Sequence, residues 1–277
     1  MSESDAGRLF VGGLPAAYEQ LLVPLFFEPY ADDLVARANA RRPSAVLELA
    51  AGTGVVTRRL AAALPAGCTL VATDLNAGMI DVARGLAPTR PDGAPPVDWR
   101  VADAQDLPFP DGSFDLVLCQ FGVMFFPDRV ASYAEAARVL RPGGAYLLSA
   151  WGPVGANAVA QAVDEAYRRV LPDADPNVIT RVAHGYHDAD RLRQDLEAGG
   201  FVVDAVETLR FEGTAPSPQA AAITIPRGSP LRAQLEPYGT QVREDVEAAA
   251  TALLAERFGD GPLRAPMTAL VATASRP

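Results

Sequence analysis

Cysteine and histidine are both scarce in this sequence, which has two residues of each among 277. Cys68 and Cys119 are too few and too far apart for a disulfide framework or a thiolate zinc site. Each lies within or beside a predicted buried strand, where cysteine usually packs as a small apolar side chain. His184 and His187 lack a convincing third ligand in the sequence, so we expect no metal centre.

An excess of basic charge is also missing, because 24 Lys and Arg residues face 34 Asp and Glu residues and give a net charge of -10. No basic stripe is present that could neutralise nucleic-acid phosphates, so we expect no nucleic-acid partner. No apolar run reaches the roughly 18 residues that a membrane-spanning helix needs. The first residues lack the positive charge of a signal peptide. These features favour a cytoplasmic protein, and the sequence allows a homo-oligomer.

Apolar runs that alternate with helical patterns are abundant between residues 45 and 150. Apolar residues make up 49% of the chain, enough for a substantial buried core. The predicted strands cover 45–50, 69–73, 97–101, 114–118 and 145–150, and the predicted helices cover 54–64, 77–86 and 128–140. Strands and helices at this spacing form βαβ units, which indicates a mostly parallel sheet covered by helices on both faces.

The segments outside this region are predicted to be largely helical. Apolar residues recur at helical spacing from Pro15 to Ala40, where Pro24 and Pro29 are expected to divide the pattern into two or three short helices. Later predicted elements are helices at 156–171 and 188–199, a strand at 201–211, proline-broken helices within 214–262 and a strand at 267–273. An irregular lead-in is expected at 1–14 and a loop rich in Pro and Gly at 87–96.

One domain, 1–277, is the organisation that this pattern favours. Its expected core comprises 41–150, 200–212 and 264–277, and its expected cap segments are 1–40, 151–199 and 213–263. The length of the chain alone would also allow two small domains.

A turn of small residues separates the first predicted strand from its helix. Ala50, Gly52 and Gly54 are spaced two apart, and small residues there let the chain turn sharply and let a ligand approach main-chain N–H groups. Enzymes that bind nicotinamide dinucleotides use the same device. The turn therefore indicates a nucleotide-type cofactor without deciding which one.

Carboxylates stand at the ends of the first three predicted strands. Asp74 ends the second strand, 20 residues after Gly54, where it could accept hydrogen bonds from both hydroxyls of a ribose. Asp103 ends the third strand, where it could accept from an exocyclic amine such as that of adenine. Glu48 ends the first strand, ahead of the turn. Open α/β sheets bind ligands at this edge, although each acid could instead cap a helix or close an Asx turn.

Several ordered motifs resemble those of class I S-adenosylmethionine-dependent methyltransferases. They cover residues 48–54, 74–75, 102–109, 114–117, 119–128 and 138–144. The resemblance is closest to the small-molecule branch, which includes quinone-biosynthesis C-methyltransferases and many natural-product enzymes. It is close over 45–150 and looser for the strands near 201–211 and 267–273. Ala50 departs from the pattern, since many members have glycine there, but alanine is small enough that we expect no loss of binding.

The resemblance implies a fold, a cofactor and a set of site residues. The implied fold is α/β, with a Rossmann-like, mostly parallel seven-stranded sheet in the order 3-2-1-4-5-7-6, an antiparallel last strand and a helical cap. The implied cofactor is S-adenosyl-L-methionine. The positions that would bind this cofactor are Tyr18, Glu48, Ala50, Gly52, Thr53, Gly54, Asp74, Leu75, Met79, Asp103, Ala104, Gln120 and Phe121.

The resemblance also implies what these positions do. The turn at 50–54 would approach the methionine part of the cofactor, and Glu48 would lie near its ammonium group. Asp74 would hold the ribose hydroxyls, and the side chains of Leu75 and Met79 would flank the adenine. These roles agree with what the position of each residue at a strand end or helix start allows.

The remaining positions would read the adenine edge and approach the reactive sulfonium. Asp103 and the backbone of Ala104 would bind the adenine edge. Gln120 and Phe121 would lie near the sulfonium, and Tyr18 would close over it. The implied reaction is an in-line displacement, in which the enzyme mainly aligns a nucleophile behind an already activated methyl group.

The acceptor of the methyl group is expected to be small and largely apolar, because the segments 15–40, 151–187 and 214–262 that should enclose it are rich in Leu, Val, Ala and Phe. The sequence does not distinguish transfer to oxygen from transfer to nitrogen or carbon.

A general base is needed only for a neutral hydroxyl or an acidic carbon, and His184 and His187 are weak candidates for this role. In the alternative, His187 simply forms the entrance to the next helix. Two rival functions also stay open: a nicotinamide-dependent oxidoreductase, and a regulatory protein that binds the cofactor without catalysis.

Overall fold

The computed structural model describes residues 13–87, 96–174 and 178–277, and its centre is one seven-stranded sheet. The strands are β1 (Ala45–Glu48), β2 (Thr69–Asp74), β3 (Asp98–Val101), β4 (Phe114–Gln120), β5 (Leu140–Trp151), β6 (Val202–Ala215) and β7 (Leu263–Ser275). Their order across the sheet is β3-β2-β1-β4-β5-β7-β6. The first five strands are parallel, and β7 is antiparallel to both of its neighbours. The expected fold class and strand order are confirmed.

Helices alternate with the strands along the chain. The α-helices and the first π-helix are α1 (Leu14–Ala17), a π-helix (Tyr18–Phe27), α2 (Glu28–Ala40), α3 (Val55–Ala63), α4 (Ala77–Gly85), α5 (Arg129–Val139), α6 (Ala158–Val170), α7 (Ala189–Ala198), α8 (Pro218–Ala222), α9 (Thr224–Gly228), α10 (Leu231–Leu235) and α11 (Gly239–Phe258). A second, shorter π-helix covers Ile179–Ala183, and 3₁₀ helices cover Val123–Phe125, Val154–Ala156 and Glu236–Tyr238. Side-chain oxygens of Asn76, Asp128 and Asp188 accept backbone N–H groups at the starts of α4, α5 and α7. The expected N-cap at Asn76 is confirmed, and the cap satisfies an N–H that has no partner within the helix.

The strand β1, at the centre of the parallel part of the sheet, is buried over its whole length, as its apolar sequence predicts for a parallel strand. Within this strand Val46 pairs with Leu70 on one side and with Leu116 on the other. The carboxyl ends of β1, β2 and β4 therefore meet at one edge of the sheet, where their last side chains lie close together.

The first helical segment keeps its helical path through both prolines. It consists of α1, the π-helix and α2 with no non-helical residue between them. Pro24 lies inside the π-helix, whose wider turns accommodate the missing N–H without a break. Pro29 lies in the first turn of α2, directly after the π-helix. The prediction that the two prolines divide this segment into separate short helices is therefore wrong, since the three pieces follow one another without a break.

The strands β6 and β7 extend beyond their predicted bounds because they form a long antiparallel ribbon. The ladder runs from Val202 opposite Ser275 to Ala215 opposite Leu263. The ribbon also meets the π-helix closely, since a Cβ added at Gly213 would lie 2.7 Å from the carbonyl oxygen of Leu25. This contact fixes the first helical segment over the edge of the sheet that carries the site.

The expected lead-in at 1–14 and the expected loop at 87–96 lie mostly outside the described residues. The division into a core and three cap segments stays a prediction, although elements of all three segments are described. Across 13–87, 96–174 and 178–277, no helix is both long and apolar enough to cross a membrane.

Candidate active site

A cavity of about 200 Å³ opens at the carboxyl edge of the sheet. The described residues on its wall include most of the predicted site, namely Tyr18, Ala50, Gly52, Asp74, Leu75, Met79, Asp103, Ala104, Gln120, Phe121 and His184. Glu48, Thr53, Gly54 and His187 are not on its wall. We call the part around Gly52, Asp74 and Asp103 the polar end, and the part around Phe26, Trp151, Ile179, Ile225 and His184 the apolar end.

Three residues of the turn after β1 have a left-handed backbone conformation. Ala50, Gly52 and Gly54 have φ of 50°, 56° and 84°. This conformation costs roughly 1 kcal/mol for an alanine. Backbone strain of this kind at a turn that faces a ligand is typical of a functional site. Packing also requires glycine at position 54, because a Cβ there would lie 2.7 Å from the Trp99 ring. Two of the small residues thus face the cavity, while the third lets α3 approach β3.

Asp74 is held at the polar end by two backbone N–H groups. Its Oδ2 accepts from Gly52 and its Oδ1 from Asn76, each at 2.8 Å. Burial raises the pKa of this carboxyl, and the two N–H donors oppose the shift. Each carboxylate oxygen keeps lone pairs beyond its bond to the backbone. The side chain is therefore fixed in place and still able to accept two further hydrogen bonds.

Asp103 follows β3 and is joined to the same end of the cavity through the backbone. The N–H of Ala102 donates to the carbonyl oxygen of Asp74 at 3.1 Å. Oδ1 of Asp103 accepts from the backbone N–H of Gln105 at 2.8 Å, which closes an Asx turn. Asp103 therefore does close an Asx turn, as the alternative interpretation expected. This turn uses one of its two carboxylate oxygens, Oδ1.

Tyr18 lies directly over the turn. A Cβ added at Gly52 would be 3.8 Å from its ring and 3.9 Å from its hydroxyl oxygen. Its ring stacks on Phe27 with centroids 5.2 Å apart. Burial, with Asp74 and Glu19 nearby, raises the pKa of the Tyr18 hydroxyl well above its ordinary value. The hydroxyl is thus neutral and keeps its proton for donation.

Gln120 ends β4 and carries an unsatisfied oxygen. Its Nε2 donates to the carbonyl oxygen of Phe27 at 3.2 Å, whereas its buried Oε1 has no hydrogen-bond partner within the described ranges. A buried acceptor without a donor is costly unless a ligand supplies one. The next residue, Phe121, has φ of 52° and stacks on Trp151 with ring centroids 3.8 Å apart. The strained backbone aims this ring at the apolar end.

Glu48 lies beneath the turn, and its carboxyl group is away from the cavity wall. The hydroxyl of Thr57 donates to its Oε2 at 2.5 Å. Burial raises the pKa of Glu48 to about 8, and Asp74 adds to the shift while Arg58 opposes it. At neutral pH the side chain is therefore mostly protonated in the folded protein. Its expected role near an ammonium group stays a prediction.

The two histidines have similar hydrogen bonds and different surroundings. Nδ1 of His184 lies 2.7 Å from the carbonyl oxygen of Gly152, and Nδ1 of His187 lies 2.6 Å from that of His184. His184 is buried on the cavity wall, whereas His187 is exposed and away from it. His187 also precedes the N-cap of α7, as the structural alternative expected.

Sequence reasoning placed the cap segments around the cavity without choosing the residues that face it. The wall residues that it missed include Leu22, Phe26, Phe27, Phe125, Phe126, Trp151, Asn157, Ala160, Ile179, Ile225, Ser229 and Pro230. Trp151 could have been predicted from the sequence, because it follows a predicted strand and the ends of the strands form the ligand-binding edge. The others lie on helices or at helix ends, and which of their side chains face inward depends on tertiary packing.

Comparisons with known proteins find methyltransferases. A family model described as "Methyltransferase domain" matches residues 47–148. A ubiquinone/menaquinone biosynthesis C-methyltransferase of Burkholderia vietnamiensis is 31% identical over 188 residues, which are 65% of this chain and 75% of that protein. The chain belongs to the class I S-adenosylmethionine-dependent methyltransferases. An uncharacterized protein of Mycobacterium tuberculosis is 35% identical over 169 residues, which are 61% of this methyltransferase and 58% of that protein.

Solved structures share the fold of this methyltransferase at low sequence identity. The YcgJ protein of Bacillus subtilis gives a TM-score of 0.57 at 18% identity, over 88% of this chain and 98% of that chain. A phosphoethanolamine N-methyltransferase of Haemonchus contortus gives 0.59 at 16% identity, over 95% of this chain and 57% of that one. That structure holds S-adenosylhomocysteine and phosphomonomethylethanolamine. At these identities the neighbours establish the fold alone.

The residues of the polar end fit the family's cofactor, S-adenosylmethionine. Asp74 offers two carboxylate oxygens that suit a pair of vicinal hydroxyls, and Gly52 and Tyr18 line the same cavity. The unpartnered Oε1 of Gln120 is able to accept a hydrogen bond from a bound molecule. When bound, the cofactor supplies an activated methyl group on a positively charged sulfur.

Substitutions at Gly122 and Ala50 are expected to have coupled effects on stability, because the two residues pack closely. A Cβ added at Gly122 would lie 2.5 Å from the Cβ of Ala50 and 2.8 Å from Sγ of Cys119. Gly122→Ala should therefore lower the free energy of unfolding by about 1–3 kcal/mol through overpacking. Urea denaturation of the single variants and of the double variant with Ala50→Gly measures the coupling. A double variant that is no more stable than Gly122→Ala would refute the contact.

Proposed function

We propose that this methyltransferase transfers a methyl group from S-adenosylmethionine to a small, largely apolar acceptor by in-line displacement. One observation carries the proposal: a single cavity joins the acids and the small-residue turn of the polar end to the aromatic wall of the apolar end. Such continuity lets a donor and an acceptor meet within one enclosed space. Holding two reactants in line can supply on the order of 7–11 kcal/mol of the rate acceleration.

The polar end would hold the donor through the residues that line it. Asp74 would accept from the ribose hydroxyls, and Asp103 with the backbone of Ala104 would bind the adenine edge. Leu75 and Met79 lie on the same wall as Asp74, in keeping with flanking positions around the adenine. Tyr18 would cover the reacting end, where its neutral hydroxyl can donate a hydrogen bond without bringing a negative charge.

The apolar end would hold the acceptor, and all three cap segments contribute to its wall. Phe26 comes from the first segment, Ile179 from the second and Ile225 from the third. A wall of this kind suits an acceptor that buries most of its surface against apolar side chains. One relative is named for carbon methylation and one fold neighbour for nitrogen methylation, so we do not assign the acceptor atom from them.

Turnover with a labelled methyl donor tests this proposal. The purified protein should convert S-adenosylmethionine to S-adenosylhomocysteine when it is supplied with aromatic and polyketide-like small molecules, and the label should appear on the acceptor. Chromatography of both products measures the stoichiometry, which should be one to one. Binding of the donor without turnover on any acceptor would instead support a regulatory protein that keeps the cofactor pocket.

A further inference from the structure

The hydrogen bond of His184 determines which of its nitrogens carries the proton. Nδ1 lies 2.7 Å from the carbonyl oxygen of Gly152, and a carbonyl oxygen can only accept. Nδ1 of the neutral ring is therefore the donor, and Nε2 carries the lone pair. Across 13–87, 96–174 and 178–277, Nε2 has no hydrogen-bond partner in the protein. The ring is buried on the cavity wall, so this lone pair is available to a molecule bound there.

The hydroxyl of Ser229 and the amide of Asn157, at the apolar end, are already engaged. The hydroxyl of Ser229 donates to the carbonyl oxygen of Ile225, and the amide of Asn157 is bonded to the backbone of Pro153 and Thr268. The charged side chains on the described wall are Asp74 and Asp103, both at the polar end. A cationic acceptor would therefore find no counter-ion at the apolar end, whereas a neutral group with one proton to donate fits.

Aromatic rings connect His184 to the reacting end of the site. Its ring centroid is 5.9 Å from that of Trp151, and Trp151 stacks on Phe121 at 3.8 Å. Phe26 meets the edge of Trp151 with centroids 6.2 Å apart. Flat aromatic faces of this kind favour a planar ring as the bound molecule.

We propose that the acceptor is a planar hydroxyarene, that its hydroxyl group donates a hydrogen bond to Nε2 of His184, and that His184 takes this proton as the methyl group is transferred to the hydroxyl oxygen. This inference rests on the proposed methyltransferase function. It assigns the acceptor atom as oxygen and gives His184 the role of general base.

The chemical step balances without another reactant. The hydroxyl oxygen forms a bond to the methyl carbon as the carbon–sulfur bond breaks and its electron pair stays on sulfur. The hydroxyl proton passes to Nε2, which leaves a neutral aryl methyl ether, a neutral sulfide and a protonated His184. Burial disfavours the charged imidazolium, so the proton passes to solvent when the products leave.

The protonation state of His184 suits this role. Burial lowers its pKa to about 4; the bond to Gly152 and the nearby carboxylate of Asp164 oppose the shift, while His187 adds to it. The ring is therefore neutral and able to accept a proton throughout the neutral pH range. The acidic limb of kcat/KM should lie below the ordinary histidine pKa of roughly 6.5.

A matched pair of variants, His184→Phe and His187→Phe, tests the inference. Both histidines use Nδ1 to reach a backbone carbonyl, but only His184 reaches the cavity. Calorimetry without cofactor should show that the wild type binds naphthol about tenfold more tightly than methylnaphthalene. His184→Phe should lose this preference, and His187→Phe should keep it. Thermal unfolding of both variants shows whether each is folded.

The kinetics of methyl transfer provide the second test. With naphthol as acceptor, His184→Phe should lower kcat on the order of a hundredfold or more. With para-nitrophenol at alkaline pH, which is already ionised, the loss should be much smaller, because no proton needs to be removed. An equal loss on both acceptors, or equal binding of naphthol and methylnaphthalene by the wild type, would overturn the inference. Methylation of naphthylamine in place of naphthol would overturn it and leave the proposed function intact, whereas failure to bind the cofactor would refute both.

Discussion

Replacing Asp74 by alanine should weaken the binding of S-adenosylhomocysteine on the order of a hundredfold or more. Hydrogen bonds from neutral hydroxyls to a charged acceptor contribute roughly 1.5–3 kcal/mol each, and Asp74 has two oxygens to offer. Both oxygens are already oriented by the N–H groups of Gly52 and Asn76. The side chain is thus preorganised, so most of its hydrogen-bond energy appears as affinity. Isothermal titration calorimetry measures the change directly.

Asp188→Ala provides the matched control for this prediction. Oδ1 of Asp188 also accepts two backbone N–H groups, from Asp190 and Arg191, but the residue is not on the cavity wall. Its replacement removes a comparable backbone acceptor and should leave affinity for the cofactor unchanged. Near-normal affinity in Asp74→Ala would refute the ribose assignment, and a similar loss in both variants would show that the effect is one of general stability.

The stability of the protein should fall between about pH 4.5 and pH 8 because of Glu48. Burial raises the pKa of this carboxyl from 4.5 to about 8. In this window the folded protein keeps a proton that the unfolded chain has released, so raising the pH favours unfolding. The contribution of Glu48 is fully present below its ordinary pKa and is lost as the pH rises through 8. The expected change is on the order of several kcal/mol, measured by urea denaturation at a series of pH values.

Glu48→Gln should remove most of this dependence. Glutamine keeps an oxygen for the hydroxyl of Thr57, which donates to Oε2 of Glu48 in the wild type. Asp74, whose pKa burial also raises, is present in both proteins, so its own burial contributes to both curves. The two stability curves should therefore approach each other at low pH and separate as the pH rises. Parallel curves over the whole range would contradict the burial of an uncharged Glu48.

The polar end of the site could be predicted because its residues are local to strand ends. Asp74 is the last residue of β2, and Ala51 of the turn donates to the backbone oxygen of Thr73 at 2.9 Å. Parallel neighbours share one edge of the sheet, so a strand assignment was enough to bring the turn and the acids together. Resemblance to a family then supplied the strand order, including the antiparallel β7, which spacing could not give.

Other features needed tertiary information. Proline is normally a helix breaker, yet Pro24 is accommodated by a π-helix that packs on the β6–β7 ribbon at Gly213. Glu48 ends a strand beside the site, but its side chain points to Thr57 beneath the turn. Gly54 has the spacing of a ligand-binding glycine and also makes room for Trp99. Each outcome depends on a partner distant in sequence, which periodicity does not encode.

The central claim is that the cavity binds S-adenosylmethionine, and calorimetric titration of the wild-type protein tests it most directly. Parallel titrations with S-adenosylmethionine and with NADH, at one pH and one protein concentration, compare the two cofactors that a small-residue turn can serve. We predict saturable binding of S-adenosylmethionine with one site per chain and no heat of binding for NADH. Saturable binding of NADH with none of S-adenosylmethionine would contradict the account.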